Sequence, residues 1–191
     1  MKDLIKPAKE SKEQVYNKFH PIRAKNFGLG LNMGIKLSNL TEISGLTKPA
    51  GISASAMRLA LSSGQMKPSE VLEECIANID LYEEHLGAWA YINIDGAREV
   101  ARELDNKKPS GALFGIPFAI KDNIDTFDML TEYGTDIYLG YQPGRDAACV
   151  AGMRSSNGVA LGKTICTEFA HRHPGKTANP WNIEHTPGGS S

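Results

Sequence analysis

The sequence has little of what marks several specialised classes of protein. Its three cysteines form no CxxC pair, and their odd number and wide spacing argue against a disulfide framework or a structural zinc site. No apolar run is long enough to span a bilayer, and the N-terminus lacks the apolar segment of a secretory signal. The net charge of −1 gives no general attraction to nucleic acids or membrane surfaces. These absences predict a soluble cytoplasmic protein with reduced thiols that binds neither nucleic acid nor membrane.

The charge that is present is unevenly distributed along the chain. Residues 1–50 carry nine Lys or Arg against four Asp or Glu, whereas residues 51–191 carry twelve against eighteen. A linker containing Pro and Gly separates the two parts. We therefore predict an N-terminal extension over residues 1–51, helical or irregular and of unclear role, followed by a domain over residues 52–191.

Within the second part, strand patterns alternate with helical ones. Helices are predicted to begin at Ser53 or Ser55, at Pro68, at Asp95 and at Asp146, where capping or first-turn residues precede apolar residues at helical spacing. Short apolar runs predict strands over residues 88–92, 113–125 and 158–164. This alternation predicts an α/β domain with a largely parallel or mixed sheet.

Lys121 is the first candidate for chemistry. It ends the apolar run Phe118-Ala119-Ile120, and alternation along a strand places it on the same face as Ala119. A lysine in an apolar setting loses hydration, which favours the neutral amine that a general base requires. The alternative is a lysine that reaches the surface at the strand end and pairs with Asp122.

The loop Thr186-Pro187-Gly188-Gly189-Ser190-Ser191 is the second candidate, because a glycine-rich turn here presents two hydroxyl groups. A serine hydroxyl needs a nearby base and a confined geometry to take part in catalysis. A helix N-cap is an alternative role for such serines. A phosphate-binding loop is a weaker one, since the Gly-Lys-Ser/Thr ending of a P-loop is missing.

Taken together, these stretches resemble the amidase signature family. The likeness rests on GIPFAIKDNID at 115–125, on HTPGGSS at 185–191, and on the intervening GRDAACVAGMRSSNGVALGKTICTEFAHRHPGKTANPWN. It covers about residues 52–191 and is specific, because several motifs occur in order. The resemblance implies the N-terminal part of the amidase signature fold, a mixed sheet flanked by helices, and an incomplete fold in this chain.

The resemblance also implies a chemistry, the hydrolysis of linear carboxamides by a Ser–cis-Ser–Lys triad without metal or cofactor. Lys121 matches the family's ultimate base. Ser190 matches the bridging serine, which follows a cis peptide bond, here Gly189–Ser190. Gly188, Gly189 and Ser191 would support the loop.

The same resemblance places the family's nucleophilic serine in a second glycine-rich loop, beyond position 191. On this basis we expect the sequence to be a fragment with little or no amidase activity alone. Two alternatives stay open, the A subunit of a glutamyl-tRNA amidotransferase and a non-catalytic remnant that serves as an interaction module. The stretch HRHPGKTANP is somewhat more similar to free-standing amidases.

The remaining candidates concern binding. Tyr133 and Tyr138 follow Lys121 in an aromatic stretch and are predicted either to line a substrate pocket or to pack in the interior. His171 and His173 lack further ligands nearby in sequence, so no metal site is predicted. The expected partner is a small-molecule amide substrate, and a homodimer of the full-length protein is kept as an alternative.

Overall fold

The computed structural model describes residues 53–191, so the predicted N-terminal extension lies outside the described residues. The described elements are, in chain order, α1 (Ala54–Ser62), α2 (Pro68–Leu86), β1 (Trp89–Ile92), α3 (Ile94–Asp105), β2 (Pro117–Lys121), a 3₁₀ turn (Asp136–Tyr138), α4 (Ala148–Ser155), β3 (Val159–Thr164) and a second 3₁₀ turn (Glu168–Ala170). Strands and helices alternate as the sequence predicts.

Local capping chemistry sets the ends of the first two helices. The Ser53 side chain accepts a hydrogen bond from the Ala56 N–H and caps α1. Pro68 begins α2, where its missing N–H costs nothing. Gly87 ends α2 in the left-handed conformation, with φ of 58°, and its N–H donates to the Glu83 carbonyl.

A side chain of α3 also accepts hydrogen bonds from donors at the start of α2. The Asp105 carboxylate accepts from the Ser69 backbone N–H at 3.0 Å and from the Ser69 hydroxyl at 2.6 Å. Asp105 is the last residue of α3, so one side chain caps α2 and ties the two helices together.

We expect Asp105→Ala to lower the free energy of unfolding by about 1–2 kcal/mol, because a capping acceptor and a hydrogen bond to a charged group are lost. Chemical denaturation would measure the change. Glu99→Ala, an exposed substitution on the same helix, is the matched control and should change stability by less than about 0.5 kcal/mol. Equal effects of the two substitutions would show that the cap contributes nothing.

The three described strands form one mixed sheet in the order β1-β3-β2. β3 lies in the centre, antiparallel to β1 and parallel to β2, and Lys121 is opposite Thr164 in the register. Every residue of β3 except the last is buried. A central strand covered on both faces explains why this segment is a nearly continuous apolar run.

Helices cover both faces of this sheet. One core cluster joins α2 and α3 to β3 and consists of Leu72, Ile76, Ala97, Ala101, Leu104, Phe114, Val159 and Leu161. A second joins β2, β3 and α4 and consists of Ile120, Met129, Val150 and Ala160. Val159 and Ala160 are adjacent and belong to different clusters, as strand alternation requires. The predicted mixed sheet flanked by helices is confirmed.

Three of the predicted boundaries are wrong. β2 begins at Pro117 rather than near residue 113, because Gly115 turns the chain with φ of 68°. Asn93, not Asp95, caps α3 by accepting from the Gly96 N–H. Asp146 does not cap α4; it pairs with Arg154 at 3.0 Å and accepts from the Phe127 N–H.

Among residues 53–191, no helix is long and apolar enough to cross a membrane. The three cysteines, Cys75, Cys149 and Cys166, are free thiols, as their spacing predicts.

Candidate active site

Lys121 and Ser190 meet in space although 69 positions separate them in the sequence. Lys121 is the last residue of β2, and its half-buried side chain reaches the serine loop. The Lys121 Nζ donates a hydrogen bond to the Ser190 Oγ. The Lys121 side chain therefore does not simply extend into solvent at the strand end, and its partner is Ser190 rather than Asp122. An amine and a hydroxyl in direct hydrogen-bond contact are arranged for proton transfer.

The serine loop is held against the segment that follows β3. The Thr167 N–H donates to the Ser190 carbonyl at 3.0 Å. Gly188 has φ of 96°, which favours glycine, and the Gly189–Ser190 peptide bond is cis, as the resemblance implies. A Cβ on Gly189 would lie 3.0 Å from the Thr167 methyl carbon, so this glycine permits a close approach. The backbone of the loop thus fixes where the Ser190 hydroxyl lies.

A buried ion pair lies directly beside Lys121. Lys163 is fully buried, and its Nζ lies 3.3 Å from the Asp122 Oδ1. The same ammonium donates to the Leu130 carbonyl at 3.1 Å and to the Thr131 hydroxyl at 2.5 Å. All three donor positions of the ammonium therefore have acceptors, which a buried charge requires.

Hydrogen bonds of both the side chain and the backbone hold Asp122 in place. Its second carboxylate oxygen accepts from the Glu132 N–H at 3.2 Å, and its backbone bonds to Thr164 and Tyr133. Because Asp122 directly follows Lys121, these contacts also fix the direction in which the catalytic candidate leaves β2.

Burial has the largest effect on the pKa values of Asp122 and Lys163. Burial raises the pKa of the Asp122 carboxyl to about 6, and the charge and hydrogen bond of Lys163 oppose this rise without cancelling it. Burial also lowers the pKa of Lys163, against the opposing effect of Asp122. Both shifts follow from removing the charged forms from water.

These directions predict a pH dependence. The folded-state pKa of Asp122 lies above its ordinary value of 3.8, so the folded protein binds this proton more tightly than the unfolded chain does. The stabilising contribution is complete below pH 3.8 and is lost as the pH rises through about 6. We expect carboxyl ¹³C NMR to show Asp122 titrating near pH 6, and Lys163→Met to raise its pKa further. A lower Asp122 pKa in that variant would contradict the assignment.

Tyr133 and Tyr138, the residues predicted to line a pocket or to pack, lie together with ring centroids 4.9 Å apart. The Tyr133 hydroxyl donates to the Asp125 carboxylate at 2.9 Å, and burial together with that carboxylate raises the pKa of Tyr133 to about 12. Its backbone N–H donates to the Asp122 carbonyl at 3.0 Å. The backbone of Tyr133 is therefore hydrogen-bonded to the residue that directly follows Lys121.

Other candidates lie apart from this contact. Ser191 is exposed, and no side-chain hydrogen bond of this residue is found within the described part of the chain, so its supporting role stays a prediction. His171 and His173 are both exposed, and residues 53–191 hold no group of three or more metal-ligating side chains.

The sequence patterns did not reveal Lys163 or Thr131 as part of the site. One signal was available: Lys163 lies in the short apolar run Val159–Thr164, which a strand buried on both faces would carry into the interior. A lysine in such a strand requires a buried acceptor, and Asp122, the residue directly after the neighbouring strand β2, supplies it.

Comparison with known proteins shows the family to which the chain belongs. A family model described as Amidase matches residues 70–191. The A subunit of the glutamyl-tRNA(Gln) amidotransferase of Halothermothrix orenii is 37% identical over 141 residues, which cover 71% of this chain and 29% of that protein. The corresponding protein of Macrococcus caseolyticus is 36% identical over 132 residues, covering 66% of this chain and 27% of that protein. The chain thus spans less than a third of the length of these curated relatives.

Solved structures show the same relationship. The peptide amidase of Stenotrophomonas maltophilia superposes with a TM-score of 0.68 at 28% identity, covering 74% of this chain and 32% of that one. A bacterial aryl acylamidase of the amidase signature enzymes superposes with a TM-score of 0.67 at 27% identity, covering 75% and 32%. With the family match extending over more than half of its residues, this chain belongs to the amidase signature family.

Proposed function

We propose that this chain carries the lysine and the bridging serine of an enzyme that hydrolyses amide bonds. The observation that supports this most directly is the hydrogen bond from the Lys121 Nζ to the Ser190 Oγ. Amidase family membership supports C–N bond hydrolysis as the class of reaction. The proposed setting is a reducing cytoplasm, which three free thiols favour.

In the proposed relay, the Lys121 amine takes the proton of the Ser190 hydroxyl. Ser190 in turn takes a proton from a nucleophilic serine as that serine attacks the amide carbonyl. The proton then passes through Ser190 to the leaving amine, the C–N bond breaks, and an acyl-enzyme remains. Water activated by the same relay releases the acid. No step needs a metal or a redox cofactor.

The relay requires a nucleophile that the resemblance places beyond position 191. We therefore propose that the 191-residue polypeptide has little or no activity alone. Removing a nucleophile from a comparable serine enzyme costs several orders of magnitude in rate. Any oxyanion-stabilising backbone N–H groups would belong to the same second glycine-rich loop.

The experiment compares the 191-residue chain with the product of the reading frame beyond codon 191. Release of ammonia or amine is measured over a panel of small carboxamides. Turnover by a longer product and not by the 191-residue chain would support the proposal. A stop codon after Ser191, with no turnover under any condition, would instead support the alternative of a non-catalytic remnant.

A second candidate is the A subunit of a glutamyl-tRNA amidotransferase. The observation that favours it is the identity of 36–37% to two proteins carrying that name. The two candidates differ in the fate of the ammonia, which a free amidase releases and an amidotransferase passes to a partner protein. Ammonia release from a simple amide without any added partner would favour the first candidate.

A further inference from the structure

Lys163 carries a charge into the centre of the sheet, which stability alone does not explain. Its side chain is fully buried, and its neighbours in β3, Val159, Ala160 and Leu161, are buried and apolar. Replacing a buried ion pair by apolar residues of similar volume is often neutral or stabilising, so the presence of such a pair is weak evidence for a gain in stability. The contacts of the Lys163 ammonium group indicate a second role.

These contacts join β3 to both ends of the segment 122–131, which follows β2. At the start of the segment, the Lys163 Nζ lies 3.3 Å from the Asp122 Oδ1. At its end, the same Nζ donates to the Leu130 carbonyl at 3.1 Å and to the Thr131 hydroxyl at 2.5 Å. Asp122 and Thr131 are themselves buried. Lys163 therefore closes this segment, called the 122–131 loop from here on, and ties it to the central strand.

The 122–131 loop begins at the residue directly after Lys121. Lys121 is opposite Thr164, the residue after Lys163, in the parallel register of β2 and β3. The Asp122 N–H donates to the Thr164 carbonyl at 2.9 Å. Two adjacent residues of β3 thus hold Asp122, one through its backbone and the other through its carboxylate. A backbone rotation that moves the Lys121 amine away from Ser190 would have to disturb both contacts.

The chain that continues from β3 holds the other partner of the Lys121–Ser190 contact. Thr167 lies shortly after the end of β3, and its N–H donates to the Ser190 carbonyl at 3.0 Å. Residues 163–167 therefore hold the Lys121 side through Asp122 and the Ser190 side through Thr167. This arrangement sets the separation between the amine and the hydroxyl that it meets.

We propose that Lys163 is a positioning residue for amide hydrolysis, which holds Asp122 and the 122–131 loop so that the Lys121 amine stays on the Ser190 hydroxyl. This inference rests on the proposed function. The three acceptors of the Lys163 ammonium are Asp122, Leu130 and Thr131, so Lys163 acts through Asp122 and not on the reacting atoms.

The first test compares kcat and KM in a product of the gene that turns over substrate. We expect Lys163→Met to lower kcat about tenfold to a hundredfold with KM within about twofold of the parent, because a misplacement of about 1 Å at a reacting group can cost about 10²-fold. Arg154→Met is the matched control. It also breaks a partly buried ion pair, with Asp128 at 2.6 Å and Asp146 at 3.0 Å, and should leave kcat within about twofold of the parent.

The double variant Asp122→Asn/Lys163→Met separates positioning from stability. It should regain stability relative to Lys163→Met, because no unpaired buried charge remains. We expect its kcat to stay about tenfold or more below that of the parent, since β3 no longer holds the 122–131 loop through Lys163. A kcat that recovers together with the stability would show a merely structural role and would overturn the proposal.

A second readout needs no turnover. The NOE between the Lys121 Hε and Ser190 Hβ protons is measured in the 191-residue chain and in any longer product of the gene. We expect it in the parent and in Arg154→Met, and about twofold weaker or less in both Lys163 variants, because the NOE falls steeply over a shift of about 1 Å. If Lys163→Met does not fold, the double variant supplies both measurements.

The two readouts distinguish the inference from the proposed function. An unchanged NOE in the Lys163 variants, or a folded Lys163→Met enzyme with the parent kcat, would refute the inference alone. An NOE that weakens as expected in a protein that hydrolyses no amide in any form would refute the proposed function alone.

Discussion

In a product of the gene that turns over substrate, replacing Lys121 with alanine is expected to lower the rate of amide hydrolysis about a thousandfold, because a positioned general base contributes about 10²–10⁴ in rate. The loss should appear in kcat rather than in KM, since Lys121 contacts Ser190 and acts on the proton in the transition state. Lys121→Arg should restore little, because a guanidinium stays protonated and cannot accept the proton.

The control for this substitution is Lys107→Ala. The Lys107 side chain is 57% exposed and its ion pair with Glu103 is long, at 3.9 Å, so its removal should leave the rate within about twofold of the parent. Unchanged stability of Lys121→Ala, measured by denaturation, shows that the loss is chemical. A Lys121→Ala enzyme with the parent rate would remove Lys121 from the mechanism.

Lys163→Met is expected to lower the free energy of unfolding by about 3–5 kcal/mol at pH 8, because it leaves the buried carboxylate of Asp122 without its ion-pair partner. The cost should be smaller at pH 5, where Asp122 is largely protonated and needs no counter-charge. Urea denaturation at the two pH values measures the difference. Lys107→Met supplies the matched surface control.

The double variant Asp122→Asn/Lys163→Met separates the pair from its surroundings. Because both charges are removed together, the double variant should be more stable than Lys163→Met alone at pH 8. Equal or greater destabilisation would mean that the hydrogen bonds lost with the Lys163 ammonium, to the Leu130 carbonyl and the Thr131 hydroxyl, hold this region rather than the charge balance of the pair. A cost of Lys163→Met that does not depend on pH would contradict the account of the pair.

Local signals in the sequence predicted the elements that local chemistry determines. Ser53 and Pro68 mark helix starts through their own side-chain and backbone preferences, and the structure confirms both of them. Asp146 failed as a predicted cap because a tertiary partner, Arg154, holds its carboxylate instead. No pattern within a few residues of Asp146 contains that information.

In the candidate site too, some features could be predicted from the sequence and others depend on the fold. The contact between Lys121 and Ser190 joins positions 69 residues apart, and only the family resemblance connected them beforehand. The aromatic stretch after Lys121 was visible, but its arrangement around Tyr138 depends on Phe169, which arrives from beyond β3. The Asp122–Lys163 pair depends on strand order, because β2 and β3 are neighbours in the sheet although far apart in sequence.

The central claim is that Ser190, rather than its neighbour, passes the proton to Lys121. Ser190 and Ser191 are adjacent, yet of the two hydroxyls only that of Ser190 is found bonded to the Lys121 Nζ in the described part of the chain. The direct measurement is the rate of amide hydrolysis by Ser190→Ala and Ser191→Ala, compared in whichever product of the gene turns over substrate. We predict a loss of about a thousandfold for Ser190→Ala and of less than about tenfold for Ser191→Ala. A Ser190→Ala enzyme that keeps the parent rate, or one that loses no more than Ser191→Ala, would contradict the account.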